Sequence, residues 1–194
     1  MELKLTLPVP VSINSLYINE YRFDPVVRRR VPTGARILSK EGEKSKLAIQ
    51  NAAREQMKNQ KWDYEWTKDK NNFLYQDSEI YFSRRGRDDN NVYKLLNDSL
   101  EGIVYDNDSR VLVRTQKILF DKNNPRMEVT LVPVDYVGIF DNEDEYIEFE
   151  SNCQSCTRFR NGRCSILVDS YSGTVREEVD MSNYECSEYK QKNN

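Results

Sequence analysis

The most informative stretch of the sequence runs from residue 79 to residue 111 and reads EIYFSRRGRDDNNVYKLLNDSLEGIVYDNDSRV. Residues 79–82 have the composition of a strand. Asn90 or Asn91 can cap a short helix, and Gly102 suits the end of that helix. The apolar residues of the helix are Val92, Leu95, Leu96 and Leu100. A second strand is predicted from Val111 to Phe120, so the stretch predicts a strand, a helix and a strand in succession.

The flanking sequence predicts further elements of both kinds. Residues 2–7 alternate polar and apolar side chains as a strand does, and Ser39 can cap a helix over about residues 40–58. Residues 8–38 are predicted to form a loop after the first strand, and residues 59–77 a polar and aromatic excursion. Another strand is predicted over residues 127–134, and the turn at residues 121–125 predicts that it forms a hairpin with the strand before it.

The composition excludes several classes of chemistry. The 194 residues include no histidine, which rules out Ser-His-Asp and Cys-His nucleophiles and every histidine-ligated metal site. The net charge of -3 hides an asymmetry. Residues 1–138 contain 23 basic and 20 acidic side chains, whereas residues 139–194 contain 6 and 12. A mildly basic body therefore carries an acidic tail.

Arginines and acidic or amide side chains are concentrated where the strand of residues 79–82 leads into the helix. Carboxylate and amide oxygens are ligands for hard cations such as Mg²⁺, and arginines can hold a phosphate backbone nearby. Phosphodiester hydrolysis needs these groups. A purely structural interpretation stays open, because acidic turns such as residues 106–108 also serve as caps and exposed loops.

Three motifs, in this order along residues 3–134, resemble those of the RusA family of Holliday-junction resolvases. The segment LPVPVSINSLY at residues 7–17 resembles the family's opening Leu-Pro-x-Pro-Pro-Ser-x-Asn. The segment SKEG at residues 39–42 resembles its Ser-x-Glu-Gly at the start of a helix. The segment from Arg87 to Lys94, followed by Asp98 and an acidic turn before Val111, resembles its central motif Asp-x-Asp-Asn-x-x-Lys and the later Asp-Asp-x-x-Val.

The resemblance assigns roles position by position. Asp88 matches the first catalytic aspartate, Asp108 the third, and Lys94 the motif lysine. Asn91 matches the motif asparagine. The chain departs from the family at two places, because Asn90 stands at the second catalytic aspartate and Asn107 at the first aspartate of the acidic pair. The neighbouring Asp89 is the alternative source of that charge, although its side chain points elsewhere if the backbone is extended there.

The resemblance implies an α/β domain of the α+β type, with a small mixed sheet and flanking helices, that forms a homodimer. It implies a Mg²⁺- or Mn²⁺-dependent endonuclease that cuts symmetric strands of a four-way DNA junction. The metal ligands would be Asp88, Asn90 and Asp108. DNA contacts are expected from Arg84, Arg85, Arg87, Asn91 and the run Arg28, Arg29 and Arg30. The alternative is a junction-binding or regulatory protein that has lost catalysis through Asn90.

All four cysteines lie in the last 42 residues, at positions 153, 156, 164 and 186. Their spacing predicts that Cys153, Cys156, Cys164 and Cys186 hold Zn²⁺, while an iron–sulfur cluster uses the same ligand set. Free thiols or disulfides stay open as the third interpretation.

The expected organisation is a nuclease domain at residues 1–138, an acidic linker at 139–152 and a cysteine module at 153–194. Residues 141–150 contain six acidic side chains, which suggests the linker. No stretch approaches the roughly 18–20 apolar residues of a membrane span, and the N-terminus lacks a signal-peptide pattern. A cytoplasmic protein of bacterial or phage origin is expected.

Overall fold

The structure is a computed structural model that describes residues 1–192. It divides into two compact units, Met1–Val134 and Asp135–Asn194. Within the described residues, no helix has both the length and the apolar composition needed to cross a membrane.

The first unit is built on a mixed four-stranded sheet in the order β1-β6-β4-β5. Strand β4 (Phe73–Phe82) lies inside the sheet, parallel to β5 (Val111–Phe120) and antiparallel to β6 (Arg126–Val134). Strand β1 (Leu3–Leu7) pairs antiparallel with β6. The mixed sheet with flanking helices confirms the fold class expected from the sequence.

Strands β5 and β6 do not form the hairpin that the sequence suggested. Strand β4 lies between them, so they sit two positions apart in the sheet, a separation of about 10 Å. The five residues from Asp121 to Pro125 can span up to about 17 Å, which is enough to pass the end of β4. The backbone N–H of Asp121 donates to the carbonyl of Phe82 at 2.9 Å, at the last residue of β4. The prediction was wrong because turn residues indicate a reversal but not which strand is the partner.

Of the two longer helices in this unit, the first begins where the local sequence predicts and the second begins one or two residues earlier. Helix α2 (Lys40–Met57) has Ser39 as its N-cap, with the hydroxyl accepting from the N–H of Gly42 at 3.0 Å. Its buried residues are Gly42, Ile49 and Ala53, whereas Leu47 is exposed. Helix α3 (Asn90–Leu100) joins β4 to the parallel β5, as a crossover connection must. Its N-cap position is Asp89 rather than Asn90 or Asn91.

One face of the sheet carries the core and the other carries ion pairs. Alternate β4 residues are buried, including Leu74, Ile80 and Phe82, and they share a core cluster with buried residues of α2 and α3. On the opposite face, Asp77 pairs with Arg114 at 2.7 Å. The helices therefore lie on one side, and α3 is held against the sheet by its buried leucines.

Residues 17–38, predicted as part of a loop, form an exposed antiparallel hairpin. It consists of β2 (Tyr17–Asp24) and β3 (Arg29–Leu38) and follows the short helix α1 (Ile13–Leu16). The hairpin was missed because it is exposed on both faces, so no alternation of polar and apolar residues marks it.

The second unit contains α4 (Glu143–Ser155) and α5 (Ser165–Tyr171). Asn142 caps α4 by accepting from the N–H of Glu145 at 3.0 Å, and acidic side chains fill its first turn, where a helix favours negative charge. The segment expected as a linker, residues 139–152, is thus largely helical, and Phe149 is buried in the small core of this unit.

Candidate active site

The polar face of α3 carries the central motif. Asn90, Lys94 and Asp98 follow each other at intervals of four residues, which places them on one side of the helix. Asn91 lies beside them, and the other face of α3 buries Val92 and the leucines. The amphipathic pattern of α3 therefore separates the candidate chemistry from the core.

The two aspartates before α3 have different partners. The carboxylate of Asp88 accepts from the backbone N–H of Asn90 at 3.0 Å, so it helps to start the helix. Asp89 accepts a hydrogen bond from the Thr115 hydroxyl of β5 at 2.6 Å, and that hydroxyl is also 2.7 Å from the hydroxyl of Tyr93. The Asp89 carboxylate is thus hydrogen-bonded to the sheet, which does not favour the role of substitute for the missing family aspartate.

Asp108 lies in a turn that is fixed from both sides. Asn107 caps this turn with its side chain, which accepts from the N–H of Ser109 at 2.8 Å. The buried hydroxyl of Thr67 accepts from the N–H of Asp106 at 3.0 Å, and the Arg110 guanidinium donates to the Thr67 carbonyl at 2.7 Å. Asn107, the second departure from the family pattern, therefore acts here as a cap.

Lys94 is the charged centre of the polar face of α3. Its ammonium donates to Asp98 at 2.7 Å, and this bond is the main reason that the pKa of Lys94 is raised. Burial acts in the opposite direction, while the charges of Asp98 and Asp108 raise the pKa of Lys94 further. Lys94 therefore stays protonated at neutral pH, and the Asp108 turn lies within electrostatic reach of it.

The donor chemistry of Asp88, Asn90 and Asp108 suits Mg²⁺, which prefers oxygen ligands. The set has only two carboxylates, since Asn90 offers a neutral amide oxygen. Among residues 1–192, no group of three or more His, Cys, Asp or Glu side chains is arranged to hold a metal ion. Asp108 lies within electrostatic reach of Lys94, Asp88 precedes α3, and Asn90 is the first residue of that helix.

The candidate arginines occupy two different regions. Arg84, Arg85 and Arg87 lie in the exposed loop before α3, where Arg85 packs over the Phe120 ring at 4.7 Å. The run of Arg28, Arg29 and Arg30 lies at the tip of the β2–β3 hairpin. Strand β2 has eight residues, so this tip is roughly 25 Å along the strand from Tyr17, which lies within electrostatic reach of Lys94.

A polar cleft of about 280 Å³ brings three distant sequence motifs together. Ser12 and Ser15 come from the opening segment, Glu41 from the first turn of α2, and Arg87 from the loop before α3. The Ser39 hydroxyl also donates to the carbonyl of Ser15 at 2.8 Å. The three segments whose sequences resemble motifs of the RusA family are therefore neighbours in space.

The four cysteines are free thiols that line one cavity of about 330 Å³ in the second unit. Burial raises the pKa of Cys153 to about 12, and the other three cysteines add to the rise. Burial would also raise the pKa of Cys156, but backbone N–H groups, that of Lys190 foremost, outweigh it and lower this pKa. The thiols share a cavity, yet they are not gathered as ligands of a single ion in the described residues. The zinc site expected from the sequence is therefore not confirmed.

Two residues with a role at the site were not among the sequence candidates. Asp98 was quoted only as part of a motif, although its spacing of four residues from Lys94 could have indicated an ion pair. Thr67 lies in a polar segment with no pattern, and only the fold shows that its hydroxyl fixes the turn of Asp108.

Comparison with known proteins agrees with this arrangement. The family model described as Endodeoxyribonuclease RusA matches residues 23–132. That range contains β3, α2, α3 and all of the Asp88–Asp108 region, whereas most of β2 and the second unit lie outside it. A search of curated proteins found no significant match. Because the family model covers more than half of the 194 residues, the chain belongs to the RusA family of endodeoxyribonucleases.

Proposed function

We propose that this protein is a Mg²⁺- or Mn²⁺-dependent endonuclease that resolves four-way DNA junctions by cutting symmetric strands. The observation that carries the proposal is the cleft in which the opening segment, the first turn of α2 and the arginine loop meet. Next to that loop, α3 presents Asn90, Lys94 and Asp98 on one face. Membership of the RusA family supports the same reaction class.

Asp88 and Asp108 would hold the divalent cation, with Asn90 as a neutral oxygen donor. When bound, the cation supplies an activated water and offsets charge on the phosphate. Asp98 positions the Lys94 ammonium at 2.7 Å, and the raised pKa of Lys94 preserves its charge near the negative phosphate. The exposed Arg84, Arg85 and Arg87, with Asn91, would contact the DNA backbone beside the site.

The test compares cleavage of a synthetic four-way junction with cleavage of linear duplex, in Mg²⁺ and in Mn²⁺. Asp88→Asn and Asp108→Asn should each abolish cleavage while the protein still folds and binds the junction, because each removes a ligand charge with little change in volume. Asp135→Asn, an exposed aspartate outside the matched family region, is the matched control and should cleave normally. Tight junction binding without cleavage in either metal would contradict the enzyme and favour the binding protein.

That second candidate, a junction-binding protein without catalysis, rests on Asn90, which lacks the charge of the family aspartate. Asn90→Asp separates the two functions. For an active enzyme with position 90 at the metal, this variant should cleave at least as fast as the wild type. For a binding protein that lost activity at this position, it should gain cleavage that the wild type lacks.

The homodimer is also a proposal, and the exposed β2–β3 hairpin supports it. An isolated two-stranded hairpin is only marginally stable in water. This one exposes Tyr21, Phe23 and Val26, with Phe23 60% and Val26 89% accessible. Light scattering should give the mass of two chains for the wild type. Phe23→Ser should shift it towards one chain, and a wild-type monomer at micromolar concentration would refute the dimer.

A further inference from the structure

The four cysteines organise the second unit. Cys153 ends the buried side of α4, Cys156 is its C-cap, and Cys164 precedes α5. Cys186 lies in the segment after residue 171, which has no helix or strand within the described residues. Cys153 and Cys164 are themselves part of the small core, together with Phe140 and Phe149. A core this small rarely holds a unit together without a metal or a crosslink.

The last described segment returns to the beginning of the cysteine region through backbone contacts. The N–H of Thr157 donates to the carbonyl of Lys190 at 2.7 Å, and the N–H of Lys192 donates to the carbonyl of Ser155 at 2.9 Å. Isolated bridges join Cys156 to Gln191 and Val179 to Cys186. These contacts therefore hold the last described segment next to the region around Cys156.

Two of the cysteines begin the same kind of turn. The sequences are CTRFR at 156–160 and CSEYK at 186–190. In the first, the N–H of Phe159 donates to the carbonyl of Cys156 at 3.1 Å. In the second, the N–H of Tyr189 donates to the carbonyl of Cys186 at 3.0 Å.

A backbone N–H group also points at the sulfur of the first of these turns. The N–H of Lys190 donates to the sulfur of Cys156 at 3.4 Å. Such N–H···S bonds stabilise thiolate ligands and tune the centre they hold.

The cavity that the four thiols line is larger than a single ion requires. Four sulfurs around one Zn²⁺ lie about 2.3 Å from it and therefore only about 3.8 Å from one another. Within residues 1–192, no three of the thiols are grouped to hold a single ion. They stand around a cavity of about 330 Å³ whose wall includes Phe149, Ile166 and Tyr184.

We propose that this cavity holds an iron–sulfur cluster whose ligands are Cys153, Cys156, Cys164 and Cys186. Four thiolates are the common ligand set of such clusters, and the apolar wall and backbone N–H donors complete their usual surroundings. This proposal concerns the second unit alone and does not depend on the nuclease function.

The full chain should be purified without chelator under anaerobic conditions and assayed for iron, acid-labile sulfide and zinc. Equal amounts of iron and sulfide, two or four of each per chain, with broad visible absorption, are expected. Cys156→Ser and Cys186→Ser should lose most of the iron and the absorption. Thr157→Ala, which changes an exposed neighbour of Cys156 and leaves every thiol in place, should keep both.

Serine variants can also lose iron by failing to fold, so the wild type provides a second measurement. Protein stripped of metal should regain the absorption when ferrous iron and sulfide are added anaerobically. One zinc per chain without iron would overturn the proposal, as would two disulfides or four thiols that take up no iron. Junction cleavage is scored separately, so a failure of the nuclease proposal leaves these readings unaffected.

Discussion

Removal of the Thr67 hydroxyl tests whether the Asp108 turn must be held in place. Thr67 is 3% exposed, and its hydroxyl donates to the Tyr64 carbonyl at 2.7 Å while accepting from the N–H of Asp106 at 3.0 Å. Thr67→Val keeps the shape of the side chain but leaves the Asp106 N–H without that partner, while the Tyr64 carbonyl still accepts from the Thr67 N–H at 3.0 Å. An unsatisfied buried group costs about 1–3 kcal/mol, and here that group is only partly buried.

We therefore expect Thr67→Val to lower the free energy of unfolding by about 1–3 kcal/mol in total. For a cooperative unit of this size, that corresponds to a fall in Tm of roughly 3–12 °C. The larger effect should be on cleavage, because the turn can move relative to Lys94 and α3. A misplacement of about 1 Å in an active site can cost on the order of 100-fold in rate.

The assay is single-turnover cleavage of a four-way junction at a temperature where both proteins are folded, with calorimetry on the same samples. Thr67→Ser is the matched control, since it retains the hydroxyl and should keep a cleavage rate within a few-fold of the wild type. If Thr67→Val loses stability but cleaves at the wild-type rate, the position of the Asp108 turn does not limit the reaction, and the reasoning is refuted.

Two further predictions follow from single contacts. Asp98→Asn removes the main cause of the raised pKa of Lys94. An NMR titration should therefore show that Lys94 loses its proton at a lower pH in the variant than in the wild type. An unchanged titration would contradict the ion pair. Because that folded-state pKa is raised, the pair stabilises the wild type below the ordinary lysine pKa, and the contribution disappears as pH rises through the raised value. Gly42→Ala should lower the free energy of unfolding by about 1–2 kcal/mol, although alanine favours helices. The reason is that the added Cβ would lie 3.0 Å from a Leu16 side-chain carbon and 3.1 Å from the Leu16 carbonyl oxygen. Chemical denaturation measures this change, and a stabilised variant would show that α1 can move away.

The features that the sequence predicted well have local causes. Ser39 was expected as a cap and is one, since the hydroxyl and the N–H of Gly42 are three residues apart. Strand β5 has the predicted bounds, and Gly102 ends α3 with a positive φ of 73°. Hydrogen bonds and backbone angles of this kind depend on a few neighbouring residues, so a pattern in the chain is enough to indicate them.

The features that were missed depend on distant residues. The position of β4 between β5 and β6 is decided by pairing along whole strands, and no residue of the turn at 121–125 encodes it. The link from Thr67 to Asp106 spans 39 residues, and the link from Asp89 to Thr115 spans 26. Arg28–Arg30 and Arg84–Arg87 were both identified by composition, which cannot show that one run lies at a hairpin tip and the other beside α3.

The neutral side chain of Asn90 changes the charge balance of the site in two opposing ways. Asp88 and Asp108 together carry two negative charges, which equal the charge of one divalent cation. An aspartate at position 90 would add a third charge, strengthening attraction for the cation but repelling a DNA phosphate. Because Lys94 is already held by Asp98 at 2.7 Å, it is not available to neutralise that third charge without giving up this partner. Asn90 is therefore expected to weaken metal binding while favouring the approach of DNA, so it need not mark a protein that has lost its chemistry.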